Sequence, residues 1–325
     1  MPLSKSPCCH IVRTNDRRNR FDGYAGGMRK ARLLIPAIVA MAFWATNFVF
    51  SPTEISAIGA IQLTGARWII ALVILVPLAL VREKTSVGVI LGEWKTHLVQ
   101  ALLGSVGYTL LLYYALGVTS PVSAAILVSL NPAFIAIAAR FVLKEQLSTR
   151  AAIGFALSFV GALIVVLGSG VAGTFTVSYG DAFVLAAVVL WTVYSMIAPR
   201  VQTPPITATA VQSGISAIVM IPIMVVDIAL GNSAWLHLGG FDWLAIVWIG
   251  LMPSAGAYVL WNISSELIGP TRTGSFLNLI PVFTTVLVIA LGGTVAPMQL
   301  VGGALVLLGI SVANQRGRAA KVTLA

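Results

Sequence analysis

The hydrophobic residues of the chain occur in long stretches separated by short clusters of glycine, proline and charged residues. A helix needs about 20 apolar residues to cross the hydrocarbon core of a bilayer. Breaks at glycine, proline and charge clusters divide the sequence into ten such stretches. These predicted spans 1 to 10 are residues 33–51, 61–81, 98–116, 122–143, 150–168, 180–198, 207–228, 241–261, 271–291 and 297–314. The pattern predicts an all-α integral membrane protein with ten transmembrane helices.

The apolar pattern occurs twice along the chain, because residues 116–168 correspond to residues 265–313. The matching prolines keep one constant offset between the copies; they are Pro121 with Pro270 and Pro132 with Pro281. Each copy therefore belongs to a unit of five spans, and we expect these units at 31–169 and 180–315. An odd number of spans makes the second unit enter the membrane from the opposite side, which predicts an inverted-topology repeat. Repeats of this kind are typical of duplicated membrane transporters.

Composition and charge placement fit a bilayer environment. Hydrophobic residues make up 58% of the chain and charged residues only 9%, whereas soluble domains carry roughly 25% charged residues. The net charge of +10 does not predict a nucleic-acid partner, because the Lys and Arg residues lie mostly before residue 33, at span ends and in short loops. With the N-terminus inside, the five outside loops, near 52–60, 117–121, 169–179, 229–240 and 292–296, contain no Lys or Arg. We therefore expect both termini in the cytoplasm.

The two ends of the chain are polar and basic. Residues 1–30 lack an apolar core and predict a disordered extension, and Met28 is an alternative start. Residues 316–325 predict a basic cytoplasmic tail. The adjacent Cys8 and Cys9 and the scattered histidines show no metal-ligand spacing, and no nucleophile–base set or phosphate-binding loop is present. We therefore expect no metal, no cofactor and no catalytic residues.

Polar residues inside predicted spans are candidates for a substrate pathway, because a polar group in lipid must be paired or face a cavity. Asn131 comes directly before Pro132 in span 4, and Asn278 lies about one turn before Pro281 in span 9. Proline in a helix removes a backbone donor and frees a carbonyl one turn earlier, so we predict kinks at both prolines. The alternative is a packing kink in which each Asn bonds to a neighbouring helix.

Arg67 in span 2 is the one cation well inside a predicted span. It either binds a substrate carboxylate, pairs with Glu54 or Asp181, or acts as a structural tether. Trp44 and Trp191 lie at matching positions of the two units and are candidates for the cavity wall, with packing as the alternative reading.

Several segments resemble the ten-helix drug/metabolite transporter superfamily, and within it the proteins with two EamA domains. They include FWATNFVF at 43–50, ARWIIALVI at 66–74, YYALGVTSPVSAAILVSLNPAFIAIAARFVLKEQLSTRAAIGFALSFVGALIVVLG at 113–168, GDAFVLAAVVLWTVYS at 180–195 and IGPTRTGSFLNLIPVFTTVLVIALGG at 268–293. The resemblance implies a secondary carrier of the cytoplasmic membrane that works by alternating access. It places near the pathway Trp44, Asn47, Tyr113, Asn131, Trp191, Tyr194, Trp261 and Asn278.

The same resemblance implies an exporter of amino acids, their analogues, nucleobases or small drugs. Because Arg67 is the one plausible cation within the membrane, we expect a small neutral or zwitterionic substrate. Two alternatives stay open, a passive channel or facilitator and an importer, whereas the missing catalytic residues argue against a membrane-embedded enzyme. A homodimer is compatible with the sequence, which identifies neither the substrate nor a coupling ion.

Overall fold

The structure is a computed structural model, and it describes residues 33–142, 149–168, 178–232, 235–269, 273–274 and 276–314. The predicted extension 1–30, the basic tail 316–325 and Pro270 lie outside these residues. The chain divides into two compact units. Of the first, Met1–Ile35, residues 33–35 are described; the second, Pro36–Ala325, carries the helices.

All regular secondary structure within the described residues is helical. The α-helices are α1 (Ile35–Arg82), α2 (Val87–Gly92), α3 (Trp94–Gln100), α4 (Tyr108–Leu116), α5 (Pro121–Val128), α6 (Asn131–Val142), α7 (Thr149–Gly168), α8 (Tyr179–Ile197), α9 (Pro205–Ala229), α10 (Gly240–Ile249), α11 (Ala257–Ile268), α12 (Leu279–Ala290) and α13 (Pro297–Asn314). Short 3₁₀ turns occupy Ala198–Arg200, Trp235–His237 and Phe276–Asn278. Two π-helical segments, Ala101–Gly107 and Gly250–Gly256, join α3 to α4 and α10 to α11.

Six helical stretches in the described part of the chain are long and apolar enough to cross a membrane. They are Ile35–Arg82, Trp94–Leu116, Pro121–Val142, Tyr179–Ile197, Pro205–Ala229 and Gly240–Ile268. Shorter apolar helices cover Ala152–Gly161, Phe276–Ala290 and Pro297–Gly309. Large apolar side chains are exposed along these helices, with Leu80 at 68% and Phe141 at 80%. Apolar surface of this extent is suited to lipid rather than to water.

The predicted outside loop 52–60 is wrong in extent, because helical residues occupy it on both sides of Gly59, where the two helices that make up α1 meet at a kink. Pro52 is accommodated inside the helix, and the Ser56 hydroxyl donates to the Pro52 carbonyl at 3.0 Å. The break is confined to Gly59, whose φ of 85° and ψ of 158° suit glycine alone. A proline costs a helix one backbone hydrogen bond, whereas this glycine changes the backbone direction. Predicted spans 1 and 2 are thus the two arms of α1.

The prolines of predicted spans 4 and 9 lie in first turns of helices. α5 ends at Val128, and Pro132 is the second residue of α6. Pro281 is the third residue of α12, which follows a 3₁₀ turn. Proline fits a first turn because the backbone N–H groups there have no partner within the helix.

Helices α7 and α13 pack through their glycines. A Cβ on Gly309 would lie 2.5 Å from the Gly154 carbonyl oxygen, and a Cβ on Gly161 would lie 2.7 Å from the Gly302 carbonyl oxygen. The Ser158 hydroxyl donates to the carbonyls of Gly154 and Val306 at 2.9 and 3.2 Å. In the sequence repeat, Gly154 corresponds to Gly302 and Gly161 to Gly309. The contact between Gly161 and Gly302 is therefore the counterpart of the contact between Gly309 and Gly154, with the two helices exchanged. A local twofold axis between two antiparallel helices requires this exchange.

Two carboxylates connect the segment after α1 to the start of α9. Glu83 accepts hydrogen bonds from the Thr207 hydroxyl and amide, both at 2.7 Å, and Glu93 accepts from those of Thr203 at 2.6 and 2.9 Å. Each carboxylate also binds the amide of the residue before its threonine. Burial by itself would raise the pKa of the Glu93 carboxyl, but its hydrogen bonds, together with the charge of the nearby His97 ring, hold that pKa below the ordinary value.

Candidate functional site

Arg67 lies in the second arm of α1 and is 3% exposed. Its Nε donates to the Ser254 hydroxyl at 2.6 Å, and its Nη1 donates to the Tyr113 hydroxyl at 2.6 Å and to Asn47 Oδ1 at 3.2 Å. Asn47 Oδ1 also accepts from Tyr113 at 2.8 Å and from Ser51 at 3.1 Å. The structure therefore joins three of the residues predicted to line the pathway in one hydrogen-bonded group, here called the Arg67 cluster.

The Arg67 guanidinium has no carboxylate partner in the described part of the chain. Glu54 and Asp181, the alternatives considered from sequence, do not pair with it, and the one ion pair within 4.0 Å among the described residues joins His97 to Glu93. Asp181 instead accepts from the backbone amide of Ser178 at the start of α8. A cation held by neutral groups alone is a buried charge without compensation, which is expensive unless a ligand supplies the anion.

An aromatic cluster surrounds Trp191, and it contains the other two tryptophans predicted from sequence. The Trp191 ring lies 5.1 Å from Trp44, 5.2 Å from Trp261 and 4.8 Å from Tyr194, on which it stacks. Tyr258 joins the group at 5.5 Å from Trp191. All five side chains are buried, at 8% exposure or less. Three helices, α1, α8 and α11, thereby bring together residues that are far apart in sequence.

The indole N–H groups of this cluster are not equally satisfied. The Trp44 indole donates to the Pro253 carbonyl at 3.0 Å. The Trp191 and Trp261 indole N–H groups are buried and have no hydrogen-bond partner among the described residues. A buried donor without an acceptor costs about 1–3 kcal/mol. The cluster thus offers two donors to an oxygen-bearing ligand.

The π-helical segments supply backbone and side-chain partners to both clusters. Pro253 has no N–H for the Ile249 carbonyl, and the Ser254 hydroxyl donates to that carbonyl at 2.7 Å. In the other segment, the Ser105 carbonyl accepts from the Trp68 indole at 2.9 Å and the Gly104 carbonyl from the Tyr258 hydroxyl at 2.7 Å. The two segments are 149 residues apart, the same offset as the matching prolines. The π-helical geometry therefore belongs to the repeat.

A second polar group, here called the Tyr194 cluster, consists of neutral side chains. The Tyr194 hydroxyl lies 3.2 Å from Asn262 Oδ1 and 3.4 Å from Gln212 Oε1. Asn262 Nδ2 donates to the Thr209 hydroxyl at 3.1 Å, and Gln212 Nε2 donates to Gln100 Oε1 at 3.0 Å. Tyr194 belongs to this cluster and to the aromatic cluster, so the two are continuous.

The Arg67 and Tyr194 clusters are related by the repeat. Asn47 and Tyr194 are 147 residues apart, as are Trp44 and Trp191, and Tyr113 and Asn262 have the proline offset of 149. In the first unit an asparagine on α1 pairs with a tyrosine on α4; in the second a tyrosine on α8 pairs with an asparagine on α11. The same contact occurs twice with the two residue types exchanged.

The remaining predicted residues lie at helix starts. Asn131 is fully buried, its Nδ2 donates to the Val128 carbonyl at 3.0 Å, and its Oδ1 has no hydrogen-bond partner among the described residues. Asn278, 8% exposed, ends the 3₁₀ turn before α12. No described hydrogen bond connects Asn131 to the Arg67 cluster.

Sequence reasoning missed Ser254, Gln212 and Trp68. Serine and glutamine in an apolar span give little signal by themselves. The sequence repeat did contain a signal for Ser254, because Ser105 and Ser254 are matching serines at an offset of 149. Among the described residues, no group of three or more His, Cys, Asp or Glu side chains is placed to hold a metal ion.

Comparisons with known proteins agree with this architecture. The model of the EamA-like transporter family matches residues 32–167 and 178–315. The chain is 28% identical to the uncharacterized transporter YyaM of Bacillus subtilis over 67% of this chain and 72% of that protein. It is 24% identical to the aromatic amino acid exporter YddG of Ancylobacter novellus over 82% and 90% of the two chains.

Two further comparisons extend the coverage. The probable terminal-alkyne amino-acid exporter of Streptantibioticus cattleyicolor is 25% identical over 89% of this chain and 95% of that protein. A crystal structure with 22% identity has a TM-score of 0.63 and covers 87% of this chain and 96% of its own, which shows a shared fold. With its apolar helices and both halves matched, the chain is a multi-pass membrane protein and belongs to the EamA-like transporter family.

Proposed function

We propose that this transporter exports a small zwitterionic compound of the amino-acid type, with an aromatic or other apolar side chain, across the cytoplasmic membrane. The observation that carries the proposal is the buried Arg67 guanidinium, whose partners among the described residues are all neutral, next to a cluster of five aromatic rings. Ser254, Tyr113 and Asn47 use three of the five guanidinium N–H groups, which leaves those on Nη2 to form charge-assisted hydrogen bonds with a carboxylate. The aromatic rings suit an apolar side chain, and the unpaired Trp191 and Trp261 donors suit an oxygen atom.

The names of two relatives support this substrate class, since one is an aromatic amino acid exporter and the other a probable exporter of an amino acid with a terminal alkyne. Both are also named as exporters, which favours outward transport over the alternative of import.

The proposed arrangement is ten transmembrane helices in two inverted five-helix units, 31–169 and 180–315, with both termini in the cytoplasm. The exchanged glycine contacts between α7 and α13 support the twofold relation between the units. The absence of Lys and Arg from the predicted outside loops supports the orientation. In this orientation the Arg67 cluster lies in the outer half of the membrane and the Tyr194 cluster in the inner half. Alternating access follows if the units rock about the aromatic cluster.

Proteoliposomes loaded with radiolabelled L-phenylalanine test the proposal, with and without a pH gradient. The wild type should show saturable efflux and counterflow. Arg67→Gln should reduce efflux by roughly tenfold or more, because a hydrogen bond to a charged group is lost. Arg82→Gln is the matched control, since Arg82 is exposed at the end of the same helix. Flux that rises linearly with concentration without saturation would indicate the alternative function, a passive channel.

A further inference from the structure

Glu54 lies on the same face of α1 as part of the Arg67 cluster. Four buried residues of this helix are spaced by three or four positions and thus share one face: Asn47, Ser51, Glu54 and Ile58. Glu54 comes one turn after Ser51, whose hydroxyl donates to Asn47 Oδ1 at 3.1 Å. In the proposed orientation, Glu54 therefore lies between the Arg67 cluster and the outer surface.

Glu54 is the one buried acid among the described residues that has no partner. Its side chain is 1% exposed, its Oε2 is buried, and no hydrogen bond or ion pair joins it to another described residue. The other two buried acids each accept hydrogen bonds from two residues, Asp181 from Thr119 and Ser178, and Asp227 from Gln62 and Asn232. An ionised carboxylate costs several kcal/mol to bury without a partner, whereas a protonated carboxyl avoids that cost.

The electrostatic surroundings of Glu54 add a second negative charge. Asp242, at the start of α10, is the one charged side chain among the described residues that interacts electrostatically with Glu54. Its Oδ2 already accepts from the backbone amide of Gly239 at 2.7 Å. The predicted outside loops contain no Lys or Arg, and Arg67 is bound to neutral side chains. Because no cation in the described part of the chain pairs with Glu54, a proton is the group that neutralises it.

We propose that Glu54 is a proton-binding site of this transporter, which exchanges its proton with the outer side and opens the outer end of the pathway when it ionises. The inference rests on the proposed function for the pathway and for the orientation of the chain. In the ionisation step the carboxyl O–H bond breaks, the proton goes to water, and the electron pair stays on Glu54. Because this charge is expensive to bury beside Asp242, it needs water, and α1 and the start of α10 must separate to admit that water. Acid on the outer side therefore favours the closed conformation described here.

Labelling of a cysteine one turn beyond Glu54 measures the opening without any substrate. Ile58 is fully buried, so Ile58→Cys, made in the full chain with Cys8→Ser and Cys9→Ser, reacts with a charged methanethiosulfonate reagent when water reaches it. The matched control is the same cysteine together with Glu54→Gln, because glutamine is neutral at every pH and the comparison cancels the ionisation of the thiol itself. In detergent, both proteins should react at equal rates at about pH 5.5, and the protein that keeps Glu54 should react about tenfold faster at about pH 8.5.

Efflux of radiolabelled L-phenylalanine from proteoliposomes gives the second readout, with the outer side of the protein facing the medium. When the inside is held at about pH 7, a higher outside pH should speed efflux by the wild type. Glu54→Gln should slow efflux and abolish this response. Asp227→Asn, which changes a buried acid that has donors, should keep the wild-type response. Faster efflux into an acidic medium, the sign expected when a proton is exchanged for the substrate, would overturn the proposal.

The two readouts separate this inference from the proposed function. Saturable L-phenylalanine transport, combined with equal labelling of the two cysteine proteins at both pH values, would overturn the proton site and leave the transport function intact. Labelling that depends on Glu54 and pH, in a protein that does not transport L-phenylalanine, would support the proton site and refute the proposed substrate. If Ile58→Cys does not fold, efflux decides, and a Glu54→Gln variant that keeps the wild-type pH response overturns the site.

Discussion

Alanine in place of Gly309 is the smallest change that tests the contact between the two repeat units. The added Cβ would lie 2.5 Å from the Gly154 carbonyl oxygen and 2.6 Å from the Ser158 backbone nitrogen. The Ser158 hydroxyl oxygen, also at 2.5 Å, can rotate away, but the other two neighbours are backbone atoms that cannot. Ordinary contact distances are 3.4–4 Å, so α7 and α13 would have to separate by about 1 Å at this point. Such a separation weakens the packing along both helices.

The magnitude follows from two opposing effects. Overpacking of a well-packed interface costs about 1–3 kcal/mol. Alanine is favoured over glycine inside a helix by about 1 kcal/mol, which offsets part of that cost. Gly303→Ala on the same helix is the matched control, because its Cβ would first meet the tip of the Ile126 side chain at 3.3 Å. The helix-propensity gain is common to both variants, so their difference in stability, about 1–3 kcal/mol, isolates the overpacking.

The assay is unfolding by SDS titration from dodecylmaltoside micelles, followed by tryptophan fluorescence. Gly309→Ala should unfold at a lower SDS fraction than Gly303→Ala. Gly161→Ala should resemble Gly309→Ala, because its Cβ would lie 2.7 Å from the Gly302 carbonyl oxygen in the matching contact. Equal midpoints for the Gly309 and Gly303 variants would refute the close backbone approach, and an unaffected Gly161 variant would refute the twofold relation.

Two further predictions concern the hydrogen bonds of Glu93 near the start of α9 and the break between α5 and α6. The lowered pKa of Glu93 means that its carboxylate stabilises the fold above the unfolded-state pKa of about 4.3 and loses this contribution as the pH falls through the folded-state value. Thr203→Val should therefore lower the thermal unfolding midpoint at pH 7, and the difference in midpoint from the wild type should vanish at about pH 3. If that difference is the same at both pH values, the lower stability comes from packing and not from the hydrogen bond to Glu93. Asn131→Leu should abolish saturable efflux in a protein that still inserts, while Ser129→Ala, whose hydroxyl bonds within its own turn to Ile126, should retain it. Normal flux through a well-expressed Asn131→Leu variant would contradict a role in the pathway.

Hydropathy predicted the helical class and most helix ranges, because the number of apolar residues that a helix needs to cross a bilayer can be counted within each segment. Predicted span 180–198, for example, is observed as Tyr179–Ile197. The error at 52–60 has a physical cause. Pro52, Glu54 and Gly59 all read as helix breaks, but only the glycine takes a backbone conformation that a helix excludes.

The candidate site was predictable as a set of residues but not as a set of contacts. Asn47, Arg67 and Tyr113 stand out in sequence because polar groups in apolar spans need a partner or a cavity. The partner of each side chain depends on how the helices pack, and the partners are far apart in sequence. Arg67 and Ser254, for example, are 187 residues apart. No local pattern encodes that pairing, and the π-helical segment that presents Ser254 is not visible in composition either.

The comparison of the two units shows which positions duplication left equal and which it changed. The scaffold contacts are equal, with glycine facing glycine on α7 and α13. In the polar clusters the tyrosine–asparagine pair is exchanged, and the position of Arg67 has Gly214 at an offset of 147 and Ser216 at an offset of 149. If both units carried the same cationic site, a carboxylate would bind equally well in either half of the membrane. A ligand with equal affinity for two states shifts the equilibrium towards neither of them. In the proposed orientation, the cationic Arg67 cluster in one unit and the neutral Tyr194 cluster in the other present different side chains to the two halves of the membrane. An inverted repeat can thus keep a symmetric scaffold and still treat the two sides of the membrane differently.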